Sequence, residues 1–115
     1  MLLNHDGKVR QISAKLSDEE FVLAKAYIQG AVHSFCKNNP DQDFSGRILF
    51  GGANRDWRQT PLQKLYDYHL NENHSDPASQ AAKDMGLLLK VVLAEDERFF
   101  EETGKDTGQR YRLVP

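Results

Sequence analysis

The sequence predicts an α+β fold, mainly helical, with a long N-terminal helix, a helix pair and a C-terminal β-hairpin. Three observations point there. Ser17-Asp18-Glu19-Glu20 has the form of a capping box and opens a long helical apolar period. Thr60-Pro61 and Asp76-Pro77 place a capping residue before a proline twice within a short stretch, so two helices start close together. Near the end, two segments rich in aromatic and branched residues flank a turn containing Gly104 and Gly108.

Residues 1–16 read as an N-terminal hairpin turned at Asp6-Gly7. The first long helix follows, from the Ser17 cap to about Lys37. Leu16 and Phe21 are spaced as a hydrophobic staple, and Phe21, Ala24, Ile28, Ala31, Val32 and Phe35 share its apolar face. Gly30 inside that helix costs up to about 1 kcal/mol relative to alanine and marks a close approach by a neighbouring element. Asn38-Asn39-Pro40 ends it.

Residues 41–59 are less regular. Ser45–Phe50 suits a short helical turn or a short strand, closed by Gly51-Gly52, and a polar loop around Trp57 follows. Thr60-Pro61-Leu62-Gln63 reads as a second capping box, with Leu62, Leu65, Tyr66, His69 and Leu70 on the apolar face of the helix it starts. That helix ends near Asn71–Asn73. The last helix spans Pro77 to about Ala94, with Ala78, Ala81, Ala82, Met85, Leu88, Leu89, Val92 and Leu93 facing the core. Gln80, Lys83, Asp84, Leu87 and Lys90 fall elsewhere around it, and Glu95-Asp96-Glu97 forms an acidic exit that sits poorly against the helix dipole. Strands are expected at Arg98–Glu102 and Gln109–Val114 around a Thr103–Gly108 turn. Such a hairpin is marginal alone and needs helices or a third strand behind it.

At 115 residues the chain is expected to form one domain over 1–115. No apolar run is long enough to span a membrane, no signal peptide is visible, and the one cysteine, Cys36, permits no internal disulfide, so a cytoplasmic location is expected. The formal net charge of −2 argues against a strongly basic nucleic-acid binder. The charge is uneven, however. Arg47, Arg55, Arg58 and Lys64 face only Asp56 within 47–64, and Lys105, Arg110 and Arg112 face only Asp106 within 105–112.

Residues 60–114, about half the chain, resemble a winged helix-turn-helix domain: helix, short link, helix, hairpin. In that family the second helix of the pair is the recognition helix. The resemblance implies an exposed face of Ser79, Gln80, Lys83, Leu87 and Lys90, with Lys105, Arg110 and Arg112 on the wing. Arg55 and Arg58 would add phosphate contacts. Arg47, Arg55 and Arg58 interleaved with Trp57 also suit phosphate binding with the indole stacking on bases, against the plainer reading that Trp57 anchors the loop in the core.

Other chemistries fit less well. Asp41-x-Asp43-x-Ser45-Gly46 starts like a calcium loop, but Gly52 stands where the bidentate glutamate is needed. His5, His33, His69 and His74 lack metal-ligand spacing, and no metal or other cofactor is expected. His33 and His69 read as polar edges of helix faces, and Cys36 as a small buried hydrophobe. No nucleophile elbow or phosphate loop is present, so the expectation is not an enzyme. Two functions remain. One is a nucleic-acid-binding regulator or mobile-element accessory factor. The other is a protein-interaction module or homodimer built through the first helix, where Val22, Leu23, Ala26 and Tyr27 lie outside the main apolar stripe.

Overall fold

A computed structural model describes residues 12–51, 56–105 and 108–115. The fold is α+β, with elements α1 (Asp18–Asn38), β1 (Phe44–Ser45), α2 (Gly46–Phe50), α3 (Gln63–Asn71), α4 (Pro77–Glu95), β2 (Phe100–Lys105) and β3 (Gln109–Leu113). The three strands form one antiparallel sheet in the order β1-β3-β2. Among the described residues no helix is long and apolar enough to cross a membrane. The expected N-terminal hairpin falls largely on residues 1–11, outside those described, and 12–16 contain no strand.

Helix α1 starts as expected. Ser17 Oγ accepts from Glu20 N–H, and Glu20 Oε1 accepts from Ser17 N–H, closing both halves of the capping box. Ala24, Ile28 and Val32 are fully buried, while Phe21 and Phe35 pack at the edge of the core. Gly30 is a correction: a Cβ placed there meets no described atom within 4 Å, so none of the described elements approaches it.

The stretch 44–50 is both of the forms it suggested. Phe44-Ser45 pairs with Tyr111 and Arg110 of β3, and the next residue opens α2 with Ser45 Oγ accepting from Ile48 N–H at 3.2 Å. Phe44 is the hub of the sheet's inner face. Its ring lies 5.6 Å from Phe35, 6.0 Å from Phe100 and 6.1 Å from Tyr111. The third strand the hairpin needed is therefore β1.

The second capping box does not form. Thr60 Oγ1 donates to the Trp57 carbonyl at 2.7 Å, and Gln63 Nε2 donates to Asp67 at 3.0 Å instead of bonding back to Thr60. Residues 60–62 become turns, and α3 begins at Gln63 with Leu62 as an N-cap that makes no side-chain bond. On α3, Leu62, Leu65 and His69 are buried, whereas Leu70, expected on the apolar face, is 50% exposed.

The link from α3 to α4 is tight because Asn73 (φ 56°) and Asp76 (φ 52°) both take the left-handed conformation, which Asn and Asp tolerate better than most side chains. Asp76 then caps α4 by accepting from Ser79 N–H at 3.2 Å. Ala81, Met85, Leu88, Leu89, Val92 and Leu93 are buried as the period requires, but Ala78 is exposed.

The acidic exit of α4 differs from its sequence reading. Asp96 is buried and accepts from Arg98 and from Gln29 of α1, while Glu95 pairs with Lys25 of α1 at 2.5 Å. Burial alone would raise the Asp96 pKa, but hydrogen bonds from Arg98 outweigh it and hold the carboxyl well below its usual range. Two of the three acids thus tie α4 to α1.

Strand β2 runs three residues further than expected, through Thr103-Gly104 to Lys105. The register steps from Glu102↔Tyr111 to Gly104↔Arg110, so Thr103 is an extra residue: the turn-like pair is a β-bulge inside the ladder.

Candidate nucleic-acid interface

Helix α4 has one side that the described residues cover only in part. Ser79, Gln80, Lys83, Gly86, Leu87 and Lys90 recur at spacings of three and four, and all are exposed or half-buried. Lys83 is exposed and Lys90 half-buried, and neither makes an ion pair with a described residue. α4 is held in place from behind by α1 and α3, through the buried residues of its opposite face.

The β2–β3 hairpin and α2 meet this helix at one cavity of ≈ 170 Å³, lined among others by Arg47 of α2, Gly86 of α4, and Gly108 and Gln109 at the start of β3. Gly86 lies between Lys83 and Lys90 on the helix surface. On α4 the cavity is lined by Ala82, Met85, Gly86 and Leu89, so it borders the lysine-bearing side at Gly86. Lys105, at the end of β2 and opposite Gln109 in the ladder, is exposed and has no ion-pair partner among the described residues.

The remaining expected phosphate contacts are engaged elsewhere. Arg110 Nε and one terminal nitrogen donate to the two oxygens of Asp43 at 2.9 and 2.7 Å, a forked pair that ties β3 to the loop before β1. Arg112 pairs with Glu101 across the β2–β3 ladder. Arg58 forks onto Asp56 at 2.9 and 2.8 Å, two residues away. Each guanidinium has a carboxylate brought to it: Asp43 from the loop before β1 for Arg110, Glu101 at the paired strand position for Arg112, and Asp56 in the same turn for Arg58. Arg55 lies outside the described residues.

Trp57 is not placed to stack on a base. It is 7% exposed, and its indole N–H donates to the Phe50 carbonyl at 3.2 Å, so it anchors the loop. The calcium-like loop is likewise engaged: Asp43 serves Arg110 and Thr103, and Ser45 caps α2 from a buried position. Hydrogen bonds from Arg110 lower the Asp43 pKa to about 2 from 3.8. Because the folded value lies below the unfolded one, this attachment is fully present above about pH 4 and lost as pH falls toward 2. Denaturant midpoints measured between pH 5 and about 2 are expected to fall less steeply for Asp43→Asn than for the wild-type chain, with Asp96 supplying part of the remaining decline.

A polar cluster that the sequence reading missed lies beneath the site. Asp84, expected on the outer side of α4, is 1% exposed. Its Oδ1 accepts from Ser13 N–H and Ser13 Oγ, both at 2.9 Å, and its Oδ2 from Ala14 N–H at 3.1 Å. His69 is equally buried, with Nε2 2.7 Å from Asp84 Oδ2 and Nδ1 2.8 Å from His74 Nδ1. The pattern that satisfies every atom has His69 donating through Nε2 to the carboxylate and accepting at Nδ1 from His74. The only available signal was that Asp84 falls between the buried positions Ala81 and Leu88. Its partners lie 15 and about 70 residues away.

Among the described residues no group of three or more His, Cys, Asp or Glu side chains could hold a metal ion. Cys36 is partly exposed, and burial raises its pKa, which keeps the thiol protonated near neutrality. No protein-family model, no curated protein and no solved structure matches the chain.

Proposed function

We propose that the chain is a small winged-helix-like protein that binds nucleic acid through the outer side of α4, with the β2–β3 hairpin as its wing. The observation that carries this reading is the exposed or half-buried Ser79–Lys90 side of α4, whose two lysines have no described ion-pair partner and which borders, at Gly86, the cavity lined by Arg47 and the hairpin base. Further support comes from the exit of α4, where Asp96 and Glu95 have internal partners and are less able to repel phosphate than the sequence implied. Lys83, Lys90, Lys105 and Arg47 are the residues assigned to phosphate contacts, with Gln80 available to a base edge. Role as a regulator or mobile-element accessory factor follows only from that activity.

With so few free cations, binding is expected to be weak and strongly salt-dependent. Three or four neutralised phosphates give a log–log salt slope of about −3. Fluorescence anisotropy on a labelled duplex from about 50 mM salt upward measures it. Lys83→Gln with Lys90→Gln should reduce the slope by about 2 and weaken binding most at the lowest salt. Absence of binding to both DNA and RNA near 50 mM salt, about the gentlest condition at which such contacts operate, overturns the reading.

A further inference from the structure

The outward crest of α1 has the features of a self-complementary helix seam. Glu19, Leu23, Ala26, Gly30, His33 and Lys37 recur at alternating spacings of four and three, so they form one line along the helix. All six are exposed, with Leu23 at 51%, and Val22 at 63% and Tyr27 at 39% flank the line. Glycine in a helix interior is unfavourable, and a Cβ at Gly30 would meet no described atom within 4 Å. The packing of the described residues therefore gives no reason for glycine at that position. A second helix crossing at Ala26 and Gly30 does, because small residues let two backbones approach closely.

We propose that two copies of the chain pair through α1 in antiparallel orientation, crossing where Ala26 of each meets the partner's Gly30. The charges at the ends of the line select both the occupant and the orientation. Centred on this crossing, an antiparallel pair sets Glu19 opposite the partner's Lys37, and Leu23 opposite the partner's His33. A parallel pair sets Glu19 against the partner's Glu19 and Lys37 against the partner's Lys37, which repel. Neither Glu19 nor Lys37 has an ion-pair partner among the described residues, and both are exposed. The line rises about 27 Å along one helix, which places the contact among small, reversible interfaces. Pairing through α1 is independent of the nucleic-acid reading, which rests on α4 and the wing.

Sedimentation velocity over a hundredfold concentration range tests the pairing. The expected result is a mass that rises from one chain toward two. Gly30→Gln should weaken association by about tenfold or more while leaving the thermal midpoint of the dilute protein no lower, since glutamine favours the helix over glycine and no described atom lies within 4 Å of the new Cβ. Lys37→Glu alone should weaken association, and Glu19→Lys with Lys37→Glu should restore it, as only antiparallel pairing allows. A single-chain mass at every concentration overturns the proposal and leaves the crest to a helix of a different protein. Association that Gly30→Gln does not weaken, or that the double reversal does not rescue, overturns it as well.

Discussion

Asp84→Asn is expected to lower the unfolding free energy by about 3 kcal/mol, in the range found when one partner of a buried polar pair is removed. The reason is specific to this carboxylate. Each of its oxygens accepts from a backbone N–H, Ser13 at Oδ1 and Ala14 at Oδ2. An asparagine in either orientation turns its NH₂ group toward one of those donors, leaving two buried donors facing each other. His69 Nε2 shares the Ala14 oxygen, so α3 is affected together with residues 13–14. Urea unfolding monitored by circular dichroism measures the loss. Amide exchange should also accelerate at Ser13 and Ala14, since both donate to Asp84. A cost below about 1 kcal/mol would show that water replaces the carboxylate in the cluster.

Phe44→Ala is expected to cost about 3–5 kcal/mol, the usual penalty for removing a fully buried aromatic ring. Its ring touches Phe35 of α1, Phe100 of β2 and Tyr111 of β3, so the substitution opens a cavity where the helical layer meets the sheet. β1 is only two residues long, and one of them is Phe44. Losing the ring therefore weakens the strand that supports the hairpin from the β3 side. Tyr111 reports on this directly. Burial holds its pKa up at about 12, so its phenol should titrate closer to the ordinary value of 10 in the variant. An unchanged Tyr111 titration together with a small stability loss would mean that the hairpin does not depend on β1.

Asp84 and Phe44 draw their partners from distant segments, which made their surroundings hard to read in the sequence. Local signals succeeded where the physics is local. The Ser17 capping box, the Asp76 cap and the start of α4 depend on residues three or four apart, and they lie where the spacing placed them. The second capping box failed because the Thr60 N–H, which the Gln63 side chain would have to satisfy, donates to the Trp57 carbonyl, while Gln63 Nε2 donates to Asp67. Thr103-Gly104 carries turn chemistry but forms a bulge, because the opposite strand supplies a ladder that turn propensity does not take into account.

The candidate interface divides in the same way. Lys83 and Lys90 lie on the outer side of α4 as the helical period required, since that period is a property of one segment. Arg110, Arg112 and Arg58 look available in the linear sequence and are matched in the fold by Asp43, Glu101 and Asp56. Asp43 and Arg110 are 67 residues apart, and no local pattern joins them.

The amino-acid sequence by itself determined the helical periods, the first and last helix starts, the hairpin and the α+β class, because each is set by contacts within a few residues. Tertiary structure alone decided that Asp84 and Asp96 are buried polar ties, that Trp57 faces inward, and which of the described cations have carboxylate partners. A charge or polar group is stable in the interior only where distant segments bring it partners, and the linear sequence does not state those distances.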